Sequence, residues 1–193
     1  MKQNVMLNSM TYFTDLVNQV DLAPINDIEL VCLLIYEAFK EGKTLYVAGN
    51  GGSAAMANHF YADLSNELLI NKMQEKPSVV SLCDSIVRIT AIANDYGYEN
   101  VFSRQLEYGN KGDVLLLLSV SGESKNLVNA ARKAKEHSMN VVSIVSEKST
   151  LCDISDETII FGDKDYGIAE DFQSIFLHLL KRKLNNNKPH KCE

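Results

Sequence analysis

Apolar and β-branched residues gather in five short runs: Thr44–Ala48, Ser78–Cys83, Val114–Ser119, Asn140–Val145 and Glu157–Phe161. The third is apolar almost throughout, with Val114 followed by Leu115, Leu116, Leu117 and Leu118. Strands buried on both faces have this continuous character, and such strands belong to parallel sheets covered by helices. Longer stretches with helical spacing separate most of the runs, including Ala54–Leu64 and Asn126–His137. This alternation predicts an α/β fold with a doubly wound, five-stranded parallel sheet flanked by helices. One domain is expected over residues 1–193, with N-terminal helices in 1–42 and a polar tail in 185–193.

The first forty residues precede any strand. Ser9–Val20 reads as one helix and Asp27–Glu41 as a second, stopped by Gly42. The second is apolar on more than one side, through Ile28, Leu30, Val31, Leu33, Leu34, Ile35, Ala38 and Phe39. So broad an apolar face predicts two surfaces to bury, one on the core and one against another subunit. Tyr166–Leu184 reads as a long C-terminal helix. His190 and Cys192 lie in the tail beyond it, too few ligands for a tetrahedral metal site.

Charge narrows the function classes. The net charge is −6 and no long basic run offsets it, so no direct binding of nucleic acid is expected. No apolar run approaches the ~20 residues that span a bilayer, and no membrane association is expected. The four cysteines, Cys32, Cys83, Cys152 and Cys192, form no CxxC pair. A reducing compartment, the cytoplasm, is the expected location.

Two strand-to-helix turns carry candidate chemistry. After the first strand comes Gly49-Asn50-Gly51-Gly52-Ser53 and then a helix. Glycines let the backbone approach a ligand, and the new helix offers unpaired N–H groups and the positive end of its dipole to an anion. Ser53 either caps that helix or gives its hydroxyl to the anion. The loop lacks the Gly-Lys-Ser/Thr ending of a nucleotide P-loop, so no nucleotide cofactor is expected. After the third strand, Ser119-Val120-Ser121-Gly122-Glu123-Ser124 places three hydroxyls at another helix start. In a sheet of flavodoxin-like order 2-1-3-4-5, strands 1 and 3 are neighbours, and a ligand is expected in the crevice at their carboxyl ends. Hydroxyls plus helix amides suit a phosphate monoester.

GNGGS followed by a helix with His59, then Ala93-Asn94-Asp95-Tyr96-Gly97, then SVSGES, resembles the phosphoheptose isomerase branch of the sugar isomerase (SIS) family. The likeness spans nearly the whole chain. It implies a homotetramer that binds a phosphorylated sugar, sedoheptulose 7-phosphate, and interconverts it with an aldose heptose 7-phosphate for lipopolysaccharide or surface glycans. It also implies zinc in many members. Carried over by position, Asn50, Gly51, Gly52, Ser53, Asn94, Asp95, Ser119, Ser121, Ser124, Glu170 and Gln173 are the expected substrate-binding residues. His59, Asp63, Lys181 and His178 are the catalytic candidates, and His59, Asp63 and Gln173 the metal candidates.

The chain departs from that pattern where the chemistry is most demanding. The family's helix after the first loop carries a histidine and, four residues later, a glutamate; here they are His59 and Asp63, on one helical face. They read as metal ligands, as an acid/base pair, or as an ordinary surface pair. Aspartate shortens the arm by one methylene, and a base must come within ~3 Å of its proton. The family's histidine on the C-terminal helix is replaced by Lys181, with His178 three residues earlier. An ordinary ammonium is a poor acid near neutral pH and a poor metal ligand. Val120 and Glu123 also stand where the family often has threonine and asparagine.

Two functions follow. One is an aldose–ketose isomerase acting on sedoheptulose 7-phosphate or a related sugar phosphate. The other is a non-catalytic SIS protein that binds a sugar phosphate or the replication initiator DnaA, since members of that kind lack the same glutamate and histidine.

Overall fold

A computed structural model describes residues 2–71 and 77–185. Two helices lead, α1 (Lys2–Asp21) and α2 (Ile25–Lys40), followed by β1 (Thr44–Gly49), α3 (Gly52–Asn71), β2 (Ser78–Ser81) and α4 (Ile86–Tyr96). Short 3₁₀ turns at Tyr98–Asn100 and Ser103–Leu106 connect to β3 (Val114–Leu118). Then come α5 (Lys125–Glu136), β4 (Asn140–Val145), α6 (Thr150–Ile154), β5 (Glu157–Ile160) and α7 (Tyr166–Leu184). The expected tail lies almost wholly outside the described residues, His190 and Cys192 included.

The five strands form one sheet in the order β2-β1-β3-β4-β5, with every pairing parallel. Central β3 is buried at every position, as its unbroken apolar run requires. Its register sets Gly49, the last residue of β1, beside Leu118, the last of β3. The chain segments leaving these two strands therefore start side by side at one edge of the sheet.

Helix boundaries differ from the sequence expectation most at the start of α1 and at the end of α3, which runs to Asn71 rather than Leu64. α1 begins at Lys2 rather than Ser9, and α3 at Gly52 rather than Ala54. α2 buries Ile28, Val31, Cys32, Ile35, Ala38 and Phe39 against the sheet, while Leu30 and Leu33 remain 49% and 55% exposed. The two-faced pattern is therefore real, and its second face is open in the single chain. α1 adds Phe13 and Val17 as exposed apolar residues, and Ile86 and Val87 stand out on α4, which buries no residue at all. Among the described residues, no helix is long and apolar enough to cross a membrane.

α7 packs along α3. Phe172, Phe176, Leu177 and Leu180 anchor it in the core, and the Phe161 ring at the end of β5 stacks on Phe172 at 3.7 Å between centroids. Polar residues of α7 that face α3 are thereby held at fixed heights along it.

Candidate active site

The β1–α3 and β3–α5 turns open into one cavity of about 290 Å³. Asn50, Gly51, Gly52 and Ser53 line it from the first turn, and Ser119, Ser121 and Ser124 from the second, with Tyr166 and Glu170 from α7. The expected convergence of two helix starts is thus present. Sequence reading missed Tyr166, whose position at the first residue of α7 gives no motif to find it by.

The serine hydroxyls are arranged to donate. Ser119 Oγ accepts the Gly122 N–H at 3.0 Å, and Ser121 Oγ accepts the Glu123 N–H at 3.3 Å. A hydroxyl that accepts a backbone N–H still has its own proton to give, so both suit the oxygens of an anion. Ser124 stands at the N-cap of α5 and makes no side-chain capping bond. Gly122 makes the turn with φ +66°, a conformation in which a side chain is strained. Glu123 points away and caps α6 through Thr150, its Oε2 taking the hydroxyl at 2.7 Å. That contact holds its carboxyl below the usual carboxylate range.

Ser53 does something other than capping. Its buried hydroxyl donates to Gln173 Oε1 at 2.8 Å, pinning α3 to α7 beneath the cavity floor. Gln173, expected to bind metal or substrate, accepts this bond with its carbonyl oxygen and is itself buried. Glu170, one turn earlier, lies so close over Gly52 that a Cβ there would stand 2.6 Å from the carboxyl carbon. The glycine at this position is what lets the carboxylate reach the cavity. Asn94 and Asp95 sit exposed at the end of α4, with Asn94 Nδ2 bonded to Asp95 Oδ1 at 2.9 Å, and neither lines the cavity of the single chain.

Farther along the same α3–α7 seam lies a second cluster. His59 Nε2 and His178 Nε2 are 3.3 Å apart, with the two rings edge to face. Asp63 Oδ2 is 3.9 Å from His59 Nε2 and 3.1 Å from Lys181 Nζ. His59, Asp63 and His178 each bring one donor atom within 4.8 Å of the others, the spacing of a metal-binding group. His178, expected as a catalytic residue, thus joins His59 and Asp63 as a third donor. Two nitrogens bound to one zinc at about 2.0–2.1 Å in tetrahedral geometry stand roughly 3.3 Å apart, so the histidine pair suits that ion.

Comparison with known proteins identifies the family. The SIS domain model matches residues 10–146. Phosphoheptose isomerase of Helicobacter pylori (strain P12) is 39% identical over 164 residues, covering 83% of each chain. The chain belongs to the SIS-domain family, among the phosphoheptose isomerases. The Campylobacter concisus (strain 13826) phosphoheptose isomerase is 33% identical over 161 residues, covering 81% of this chain and 82% of its own. The solved structure of phosphoheptose isomerase GmhA from Neisseria gonorrhoeae superimposes with a TM-score of 0.86 at 22% identity, over 96% of this chain and 100% of that one. At that identity the structural likeness shows a shared fold.

Proposed function

We propose that this SIS-domain protein is an aldose–ketose isomerase that interconverts sedoheptulose 7-phosphate and an aldose heptose 7-phosphate, a sugar used in surface glycans. The observation that carries the reading is the spacing along the α3–α7 seam. The hydroxyl-lined cavity lies at Ser53, and the titratable cluster begins at His59. Six helical residues at 1.5 Å each put them roughly 9 Å apart. A sugar phosphate anchored by its terminal phosphate in the cavity reaches the cluster with its far end, where an isomerase must work.

The chemistry moves a proton between C1 and C2 while protons on the neighbouring oxygens exchange. The Asp63 carboxylate is the base that takes the C1 proton and returns it at C2. His59 and His178, whose ring nitrogens face each other at 3.3 Å, give and take protons at O1 and O2. Lys181 holds Asp63 in place and offsets the negative charge that grows on the enediol oxygens. Asp63 reaches less far than a glutamate would, and the Lys181 contact fixes the direction of that shorter arm.

His59, Asp63 and His178 are the groups that would hold a zinc ion, and as ligands they would no longer serve as the base and proton carriers of the metal-free site. When bound, zinc supplies a Lewis acid for the sugar oxygens.

The exposed apolar residues of α1, α2 and α4 support a homotetramer, in which those faces are covered. Asn94 and Asp95 then belong to a binding site completed between subunits. Free thiols at Cys32, Cys83 and Cys152 support a cytoplasmic location. The non-catalytic alternative, including a complex with DnaA, is not favoured, because the curated relatives are isomerases.

Incubating purified protein with sedoheptulose 7-phosphate and following the aldose product by NMR tests the assignment. Turnover supports it, and absence of turnover both with and without added zinc overturns it.

A further inference from the structure

The Asn50 side chain ties the first loop to the helix that follows the second. Asn50 Nδ2 donates to Asn126 Oδ1 at 3.0 Å, and Asn126 Nδ2 donates back to Asn50 Oδ1 at 2.8 Å. Asn126 lies in the first turn of α5 and is 3% exposed. Its Oδ1 also accepts the Leu127 N–H at 3.0 Å. A third group joins from the turn after α4, where Tyr98 Oη donates to Asn50 Oδ1 at 3.0 Å.

These bonds fix which way both amides face. Turning Asn126 over would set its NH₂ against the Leu127 N–H, two donors facing each other. The backbone therefore decides the orientation of Asn126, and Asn126 decides that of Asn50. An asparagine side chain offers two acceptor positions and two N–H donors. On Asn50, both acceptor positions are taken, by Asn126 and Tyr98, and one N–H is spent on Asn126. Among the described residues, one N–H is left, on a residue that lines the cavity.

We infer that Asn126 and Tyr98 are positioning residues that hold Asn50 as a pure donor, its remaining N–H aimed at a phosphate oxygen of the substrate. The pair also fixes the distance between the two helix starts that share that phosphate. Neither residue touches the sugar; both act through Asn50. The inference rests on the sugar-phosphate reading of the cavity.

Binding can be measured by isothermal titration with sedoheptulose 7-phosphate and, separately, with inorganic phosphate. Tyr98→Phe removes only an exposed hydroxyl, so it spares folding. It is expected to weaken binding of both ligands about three-fold, the loss of one partly exposed hydrogen bond, with Tm unchanged. In steady-state assays KM rises and kcat holds, because the contact is to a part of the substrate that does not react. In the Asn50→Ala background, Tyr98→Phe is expected to have no further effect. Asn126→Ala is expected to weaken binding by more, with some loss of Tm. A Tyr98→Phe protein that binds as wild type does, or whose effect adds in full to that of Asn50→Ala, overturns the positioning role alone. A wild-type protein that binds neither ligand overturns the sugar-phosphate reading and this role with it.

Discussion

Asp63 and Lys181 are 118 residues apart in sequence, and the Lys181 ammonium lies 3.1 Å from the Asp63 carboxylate. Their side chains are 30% and 17% exposed, so the pair is shielded from solvent far better than a surface ion pair. Removing one partner leaves the other charged and partly buried. Lys181→Met is expected to lower kcat about a hundredfold, the scale of losing one group that stabilises developing charge. Lys181→Arg keeps the charge and is expected to retain more activity. Steady-state kinetics on the two variants gives the comparison; equal activity of Lys181→Met and wild type would remove Lys181 from the mechanism.

Metal binding offers an independent check of the cluster. Zinc titrated into the metal-free protein is expected to bind at one site per chain. His178→Ala is expected to weaken it by more than the roughly 10–100-fold typical of outer-shell changes. Gln173→Ala is expected to weaken zinc binding less than His178→Ala does, because its carbonyl oxygen already accepts the Ser53 hydroxyl. The reverse ranking would return Gln173 to the ligand set.

The Ser53–Gln173 bond makes a stability prediction. Ser53→Ala leaves the buried Gln173 oxygen without its partner, which costs about 1–3 kcal/mol. Ser121→Ala, in the open turn of the same cavity, is expected to cost no more than about 0.5 kcal/mol. Urea denaturation of the two variants gives the difference directly.

Gly122 leaves little latitude. Its φ of +66° disfavours any side chain, and a Cβ there would collide with Ser149. Gly122→Ala is expected to destabilise by about 1–3 kcal/mol and to weaken phosphate binding as the turn shifts. Calorimetry with and without inorganic phosphate separates the two effects.

The thiols differ in reactivity. Burial pushes the Cys32 thiol up from 9.0 to about 11, and burial also raises that of Cys83. At pH 8 the reactive thiolate of Cys32 is about a thousandth of the total, so it resists alkylation, whereas among the three described cysteines the partly exposed Cys152 is labelled first. The raised value also fixes a sign for stability. The Cys32 contribution is complete below pH 9.0 and is lost as pH rises toward about 11, because the unfolded thiol ionises first. Peptide mapping after timed alkylation, and unfolding measured across that pH range, check the two statements.

Much of this was legible in the residues themselves. The leucine run of β3 announces a strand buried on both faces, and the glycine and serine turns announce the two helix starts. The partnerships across the seam were not. Nothing near Ser53 in the chain indicates that its hydroxyl belongs to Gln173, and nothing near His59 indicates that His178 faces it. Those choices depend on the relative height of α3 and α7, which is set by the packing of Phe172, Phe176 and Leu180. Asn126 carries no motif of its own, and its role emerges only once the two turns are adjacent.

The matched heights of α3 and α7 act as a molecular yardstick. Ser53 meets Gln173, His59 meets His178 and Asp63 meets Lys181, so both helices climb together from the anchoring end to the reacting end. In the proposed reaction, a shorter sugar held by the same terminal group is expected to fall short of the histidines, and a longer one to overshoot them. Chain length, read against a rigid pair of helices, thus becomes a criterion for choosing among sugars that carry the same terminal phosphate.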